Sequence, residues 1–518
     1  MTSSCSRNSS REAWKWCMSL AERCTNMRQL KAIHAVFITH GLHHNNYALS
    51  KLISFSALSP SGSLPYATLL FLHSPSPPNS FIFNTLIRSH ATRHPSAALR
   101  LFLSMLRHHP HLLPDHHTFP FALSACANLP SLVSGLQLHS TLLKNGLAAS
   151  DPLVQAALLR MYVQTSSLPD ARHLFDEIPH QDRDPTLWNI LINGFLRFGE
   201  ASEAVRLFGE MAASDVAPDC FCVATGVAAC AHLGALQLGA WIHDYARRNG
   251  FMADVFIGTS LVDMYAKCGC LDRAMEVFDE MPSRNVFSWA AMVGGFAMHG
   301  FAKEALYCLE RMEEEDGLRP DGVVLLGVLT ACSHAGLEEE GRRLLTNMER
   351  EYGVAPKHEH YSCMVDLLCR AGRLYEALEL VREMPMRPLA SVWGTMLSGS
   401  RIHGNVELAE LAADELLRLE GDGIVEEDDG VYVQLSNVYL SARRREDARR
   451  VRKMMCSRGI KKTPGCSVIE VDGKANEFVA GDEAHPLRLH IQSMLKLLYH
   501  NIIHLSELGN QLEPYMVQ

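Results

Sequence analysis

No stretch of this 518-residue chain approaches the ~20 consecutive apolar residues of a membrane span, so no membrane partner is expected. The longest apolar run, Gly322 to Cys332, reads as one buried helix. Zinc deaminases need a His-x-Glu, for one ligand and the proton-shuttling Glu, and a Cys-x-x-Cys for two more ligands, and both are missing. None of the 26 histidines has a glutamate two residues on, and no two of the 15 cysteines have that spacing. Walker loops, dinucleotide fingerprints and nucleophile elbows are also missing. The expectation is a chain without cofactor, metal or catalytic residues, and not an enzyme. Positive charge is scarce too: a net charge of -9 and a pI near 6.3 argue against gripping nucleic acid by bulk charge, though a locally basic groove stays open.

Apolar residues make up 47% of the chain, ample for a large core, and its length calls for several domains or one array. The odd number of cysteines, recurring inside helical patterns, reads as reduced thiols in an intracellular compartment. Cys220 with Cys222 and Cys268 with Cys270 have C-x-C spacing without a His-x-Glu partner and read as packing residues. The acidic segment Glu420 to Asp429 (EGDGIVEEDD) reads as a solvated loop. The N-terminal MTSSCSRNSSREAWKW is rich in Ser and Arg, with one acidic residue before Glu22, so residues 1–12 read as an organelle transit peptide.

Sliding the chain on itself reveals repeats. MYVQTSSLPDARHLFDEIP from Met161, MYAKCGCLDRAMEVFDEMP from Met264 and LLCRAGRLYEALELVREMP from Leu367 begin 103 residues apart. A second family contains LSACANLPSLVSGLQLH from Leu123, VAACAHLGALQLGAWIH from Val227 and LTACSHAGLEEEGRRLL from Leu329. FNTLIRSH at Phe83, WNILINGF at Trp188, WAAMVGGF at Trp289 and WGTMLSGS at Trp393 form a third. One third of the triplet is about 34 residues, the length of two short helices and two turns. In the unit from Pro185, helix A is predicted through Trp188, Ile190, Leu191 and Phe195, with a turn at Gly199. Helix B follows through Ala204, Val205, Leu207, Phe208 and Met211, up to Pro218 and Asp219. A single hairpin cannot bury both its faces, so neighbouring hairpins must stack.

VFDEMP at 277–282, LFDEIP at 174–179, GLRPD at 317–321, DMYAKCG at 263–269 and ACSHAG at 331–336 resemble the pentatricopeptide repeat family. Alternation of P, L and S units resembles its plant PLS subclass. The resemblance implies an all-α fold, a right-handed solenoid superhelix of helix-turn-helix repeats, with degenerate L and S repeats at 13–79. P-L-S triplets follow at 80–184, 185–285 and 286–389. SVWGTMLSGSRIHGNVELAE and YVQLSNVYLSARRREDARRVRKMM resemble the two degenerate repeats of an E region, at 390–463. The tail 464–518 begins with PGCSVIEVDGKANEFVAGDEAHP, similar to the block that leads into the family's deaminase domain, with Val468 where that block has Trp. A final helix is expected through Ile491, Leu495, Leu498 and Ile502. The chain ends at Gln518, about where that deaminase begins, so the expected role is a guide. His358 and His360 flank Glu359 where the family has the same letters without metal.

The resemblance also implies that each unit faces one RNA base, read by the fifth residue and by the last. Carried over, Ser50 with Asn79 reads A, Asn84 with Asp115 reads U, and Ala156 with Asp184 fits no strong rule. Asn189 with Asp219 reads U with C tolerated, and Thr259 with Asn285 reads A. Ala290 with Asp321 lacks a first reader, and Ser362 with Leu389 leaves the preference open. L units, with Pro120, Ala224 and Leu326 at the fifth place, follow the code badly. The implied site is A, U, any, weak, U, any, A, weak, then two unassigned positions and a short gap before a target C.

Plainer readings stand beside this one. Asp115, Asp184, Asp219 and Asp321 each precede a helix A and could be N-caps. Phe81, Phe256 and Phe287 fall at the second place and fit core packing or base contact equally. Asn84 and Asn189 are harder to explain as helix-interior residues. The resemblance implies single-stranded organellar RNA as partner, in chloroplast or mitochondrion, and a role in recognising C-to-U editing sites. A DYW-type deaminase would then act in trans with editing accessory proteins. RNA stabilisation, splicing or translation, or a protein-only scaffold, are the alternatives.

Overall fold

The computed structural model describes residues 14–109, 111–146, 151–421, 429–460, 465–471, 474–480 and 487–512. The expected leader at 1–12 lies outside them, as do residues 422–428 of the acidic segment and the side chains of Val468 and Ile502.

Helical spacing becomes helix pairs where the apolar pattern placed them. Pro185–Arg197 buries Leu187, Trp188, Leu191, Ile192 and Phe195, and Ala201–Ala213 buries Ala204, Leu207, Phe208 and Met211. Gly199 turns the chain between them at φ +83°, a conformation that costs a side chain free energy. The Phe of the LFDEIP and VFDEMP motifs packs edge-on against the Trp that opens the next unit. Phe175 and Trp188 lie 4.6 Å apart between centroids, and Phe278 and Trp289 4.7 Å. No helix among the described residues is long and apolar enough to cross a membrane.

The chain divides into two compact units, 1–229 and 230–518. In the first, helices A at Asn46–Leu58, Ser80–Ala91, Thr118–Asn128, Pro152–Gln164 and Pro185–Arg197 each pack against the next. Each also packs on its own helix B, at Leu64–Leu72, Pro95–His108, Leu132–Lys144, Leu168–Glu177 and Ala201–Ala213. In the second unit the same succession runs through Val255–Lys267, Val286–Met298, Gly322–Ala335, His358–Arg370, Ala390–Ile402 and Asp429–Ser441. One core joins Met364 and Leu368 to Met396, Ala412, Tyr432 and Val451, so the degenerate repeats after residue 390 extend the preceding stack.

The helical pattern is interrupted near the end. Cys466–Val471 pairs antiparallel with Lys474–Val479, in the register Ser467 opposite Phe478 and Ile469 opposite Asn476. The sequence reading named this block only by its resemblance; six residues of alternation are too short to separate a strand from a helix turn. The helix Arg488–Leu512 follows, carrying Ile491, Leu495 and Leu498 as expected.

Glycine sets the distance between successive helices A. A Cβ on Gly194 would lie 2.7 Å from Val163 Cγ1, one on Gly295 2.7 Å from Ala266 Cβ, and one on Gly399 2.4 Å from Cys369 Cβ. These are the glycines of WNILINGF, WAAMVGGF and WGTMLSGS. The neighbouring Gly294 has open space where a Cβ would go. The two positions should therefore respond in opposite directions. Gly295→Ala overpacks a rigid contact and is expected to cost about 1–3 kcal/mol. Gly294→Ala relieves backbone entropy in mid-helix and is expected to stabilise by up to about 1 kcal/mol. Thermal unfolding midpoints of the two variants check this.

Candidate nucleic-acid interface

The last residue of each unit caps the helix A that follows. Asn79 Oδ1 accepts the Ile82 N–H at 3.0 Å, Asp184 Oδ1 that of Leu187 at 2.9 Å, and Asp219 Oδ1 that of Cys222 at 2.8 Å. Asn285 Oδ1 accepts from Ser288 N–H at 3.0 Å, and Asp321 Oδ1 from Val323 and Val324 at 3.0 Å each. The N-cap reading therefore describes these residues correctly as structure. Leu389 has no oxygen to offer, makes no cap bond and is exposed.

In two units the capping side chain is joined to the residue at the fifth place. Asp115 Oδ1 accepts from His117 N–H (3.0 Å), Thr118 N–H (2.8 Å) and Asn84 Nδ2 (3.2 Å). Thr118 Oγ1 lies 2.7 Å from Asn84 Oδ1 and 2.9 Å from Asp115 Oδ1. Partial burial pushes the Asp115 carboxyl up, but these hydrogen bonds outweigh it and hold the group below the usual carboxylate range. In the other unit, Thr259 Oγ1 lies 2.7 Å from Ser288 Oγ, which lies 3.1 Å from Asn285 Oδ1.

The remaining fifth-place residues stand differently. Asn189 Oδ1 accepts from Thr225 Oγ1 at 2.8 Å and makes no bond to Asp219. Ser50 is buried and donates to Tyr47 O at 2.7 Å within its own helix. Ser362 Oγ meets Thr395 Oγ1 at 3.2 Å. Ala156 and Ala290 have no polar group to offer.

In seven units an apolar side chain turned to solvent stands three residues before the fifth place, on the same helix face; Thr186, Glu359 and His117 stand there before Asn189, Ser362 and Pro120. Tyr47, Phe81, Leu153, Phe221, Phe256, Phe287 and Val323 are 50–71% exposed. Core packing is thereby excluded for Phe81, Phe256 and Phe287.

Charge is segregated between the helices. From Asn46 to Leu233 the helices A contain no Asp or Glu, and they carry Lys51, Arg88, Arg160 and Arg197. Arg160 lines two adjoining grooves. One, of about 530 Å³, is shared with His117, Pro120, Phe121, Leu153 and Ala156; the other, of about 310 Å³, with Asn189, Asn193 and Arg197. Neither Arg160 nor Arg197 has an acidic partner among the described residues. Lys51 pairs with Glu22 at 3.3 Å, and in the second unit Lys267 pairs with Asp263 at 2.7 Å and Arg370 with Asp366 at 2.7 Å. The acidic residues gather on the helices B, in networks such as Arg172 with Asp176 and Glu210, Arg311 with Asp279 and Glu315, and Arg342 with Glu376.

Of the C-x-C pairs Cys222 is buried and Cys220, Cys268 and Cys270 are half-buried, and of the His-Glu-His segment only His360 is buried. The Cys222 thiol donates to Pro185 O at 3.3 Å. His360 accepts from Lys357 N–H at 2.9 Å through Nδ1 and so donates from Nε2 to Gly322 O at 2.8 Å. Among the described residues, no cluster of three His, Cys, Asp or Glu could hold a metal. Sequence reasoning passed over Thr118, Thr225 and Ser288, the apolar second-place residues besides the three Phe, and the acid-free helices A. Tallying charge by helix, instead of over the chain, would have found the last.

Residues 403–470 match the E motif family, and the PPR repeat family matches 186–216, 259–286, 287–316 and 352–385. A pentatricopeptide repeat-containing protein of Arabidopsis thaliana is 49% identical over 492 residues, covering 94% of this chain and 97% of the relative. A second Arabidopsis relative, named chloroplastic/mitochondrial, is 39% identical over 490 residues, covering 93% of this chain and 76% of its own. The crystal structure of the maize pentatricopeptide repeat protein PPR10 aligns with TM-score 0.46 at 16% identity, over 86% of this chain and 73% of that one. PPR10 in complex with an 18-nt psaJ RNA element aligns with TM-score 0.41 at 18% identity, over 88% and 72%. Identity of this degree along nearly the whole of two chains, on repeats of one kind, makes this chain a member of the pentatricopeptide repeat family.

Proposed function

We propose that the helix A face holds single-stranded RNA, unit by unit, and that the chain marks sites of C-to-U editing in chloroplast or mitochondrial transcripts. One observation carries the reading: Tyr47, Phe81 and Phe256, exposed at the second place, lie beside the polar Ser50, Asn84 and Thr259 of the fifth, and the helices A from Asn46 to Leu233 contain no Asp or Glu. Phe81, Phe221, Phe256 and Phe287 offer flat surfaces on which unpaired bases can stack, a contact every base can make. Asn84, Asn189 and Thr259, with Asp115, Asp219 and Asn285, then supply the hydrogen-bonding groups that tell bases apart. Arg88, Arg160 and Arg197 supply the local positive charge a phosphate backbone needs, despite the net charge of -9.

Editing, among the kinds of RNA work, is supported by the E motif at 403–470, fused to the repeat stack through a shared core. In this reading the segment 390–518 recruits a DYW-type deaminase and accessory proteins. Two relatives named chloroplastic or chloroplastic/mitochondrial support an organelle.

Binding should weaken with salt. Replacing Arg160 by Gln is expected to lower affinity about equally for all RNA sequences and to reduce the slope of log K against log salt by about 0.7. Fluorescence anisotropy on a short RNA of the pattern A-U-N-N-U-N-A checks this, and a salt-independent signal would refute the RNA reading. For editing, organellar transcripts compared C by C, with and without the protein, should differ at one or a few cytidines. A chain lacking 390–486 should then bind RNA but restore no editing; full rescue by that chain would point instead to RNA stabilisation, splicing or translation.

A further inference from the structure

Two hydroxyls that belong to neither reader stand where they control both. Thr118 and Ser288 are the third residues of the units that follow Asn84–Asp115 and Thr259–Asn285, and both are fully buried. Water cannot satisfy them, so their hydrogen bonds fall on the readers.

At Asn84 the chemistry is directional. The Asp115 carboxylate only accepts, so the amide nitrogen must face it, as it does at 3.2 Å. Thr118 takes the Asp115 backbone N–H at 3.1 Å on a lone pair and shares its proton between the Asn84 carbonyl oxygen at 2.7 Å and Asp115 Oδ1 at 2.9 Å. The amide is thus held at both ends, with one N–H and one oxygen lone pair free. Uracil offers a donor at N3 beside an acceptor at O4; cytosine offers an acceptor at N3 beside a donor at N4. A freely flipping amide can satisfy either edge, and a locked one suits only one of them in a given base plane. At Thr259 the parallel arrangement spends the hydroxyl proton on Ser288, whose own proton goes to Asn285 Oδ1. Thr259 then faces the groove as an acceptor, the complement of an adenine amine.

The second P unit supplies an internal contrast. Cys222 stands where Thr118 stands, and its thiol donates to Pro185 O and not to the reader. Thr225 shares its proton between Asn189 Oδ1 at 2.8 Å and Phe221 O at 2.9 Å. Asn189 is therefore held at one end only.

We propose that the buried hydroxyl three residues into the following unit is a further specificity determinant. Thr118 fixes which amide edge Asn84 shows a pyrimidine, and Ser288 fixes Thr259 as an acceptor. The inference rests on the RNA reading above and assigns these hydroxyls as positioning residues that touch the readers rather than the base.

The test uses the full chain and synthetic RNAs of the pattern A-U-N-N-U-N-A in one fixed background, with the second or fifth base changed to C. Wild-type protein should prefer U over C more strongly at the second base, opposite Asn84, than at the fifth, opposite Asn189. Thr118→Val should lower the second-base preference by about five- to tenfold and leave the fifth unchanged, while Thr118→Ser restores it. Cys222→Thr should raise the fifth-base preference. A Thr118→Val chain that loses affinity equally for U and C would reduce the hydroxyl to a cap and overturn the inference. Should that variant not fold, an unchanged fifth-base preference in Cys222→Thr overturns it equally. Wild-type binding indifferent to every base would refute the RNA reading first, and the inference with it.

Discussion

Everything in the array depends on how closely one helix A approaches the next. At Gly194, Gly295 and Gly399 the approach leaves no room for a Cβ against Val163, Ala266 and Cys369. The Gly295 contact lies between the two helices A whose Thr259 and Ser288 hydroxyls meet across a boundary between units; Thr118 reaches Asn84 between two helices A that pack without glycine. A bulkier residue at these glycines would disturb the readers without being one of them.

Segregation of charge follows from the same architecture. Helices A are packed on two sides by other helices A, so they tolerate few charges, and those that remain lie toward the grooves. Helices B keep a solvent face where Arg and Glu pair at spacings of three and four residues. Such exposed pairs contribute little stability each. A net charge of -9 thus coexists with a surface from Lys51 to Arg197 that has no acid on its helices A. Beyond residue 230 Lys267 and Arg370 pair with Asp263 and Asp366 on their own helices A, acids that the helices A from Asn46 to Leu233 do not carry.

Capping and the proposed recognition share one arrangement of atoms at Asp115 and Asn285. The oxygen that caps the next helix also meets the reader or its hydroxyl, so the stability of the helix start and the orientation of the reader are set together. Where the partner residue is Ala156 or Ala290, the same cap at Asp184 or Asp321 is structure alone.

The sequence by itself determined the repeat, the helix pairs and the family, because burial on a helix face leaves a periodic apolar imprint and the motif glycines and prolines mark every turn. It also singled out Asn84, Asn189 and Thr259, polar residues at a fixed register on helix A. It could not place Phe81, Phe256 and Phe287, since an aromatic at helical spacing looks the same whether it faces core or solvent; only the packed neighbours decided that they are exposed. Nor could it see that Ser50 turns its hydroxyl to its own backbone, or that Thr118 and Ser288 reach back across a unit boundary. Those contacts join residues about 30 positions apart through two helices and two turns, and such distances are fixed by tertiary packing.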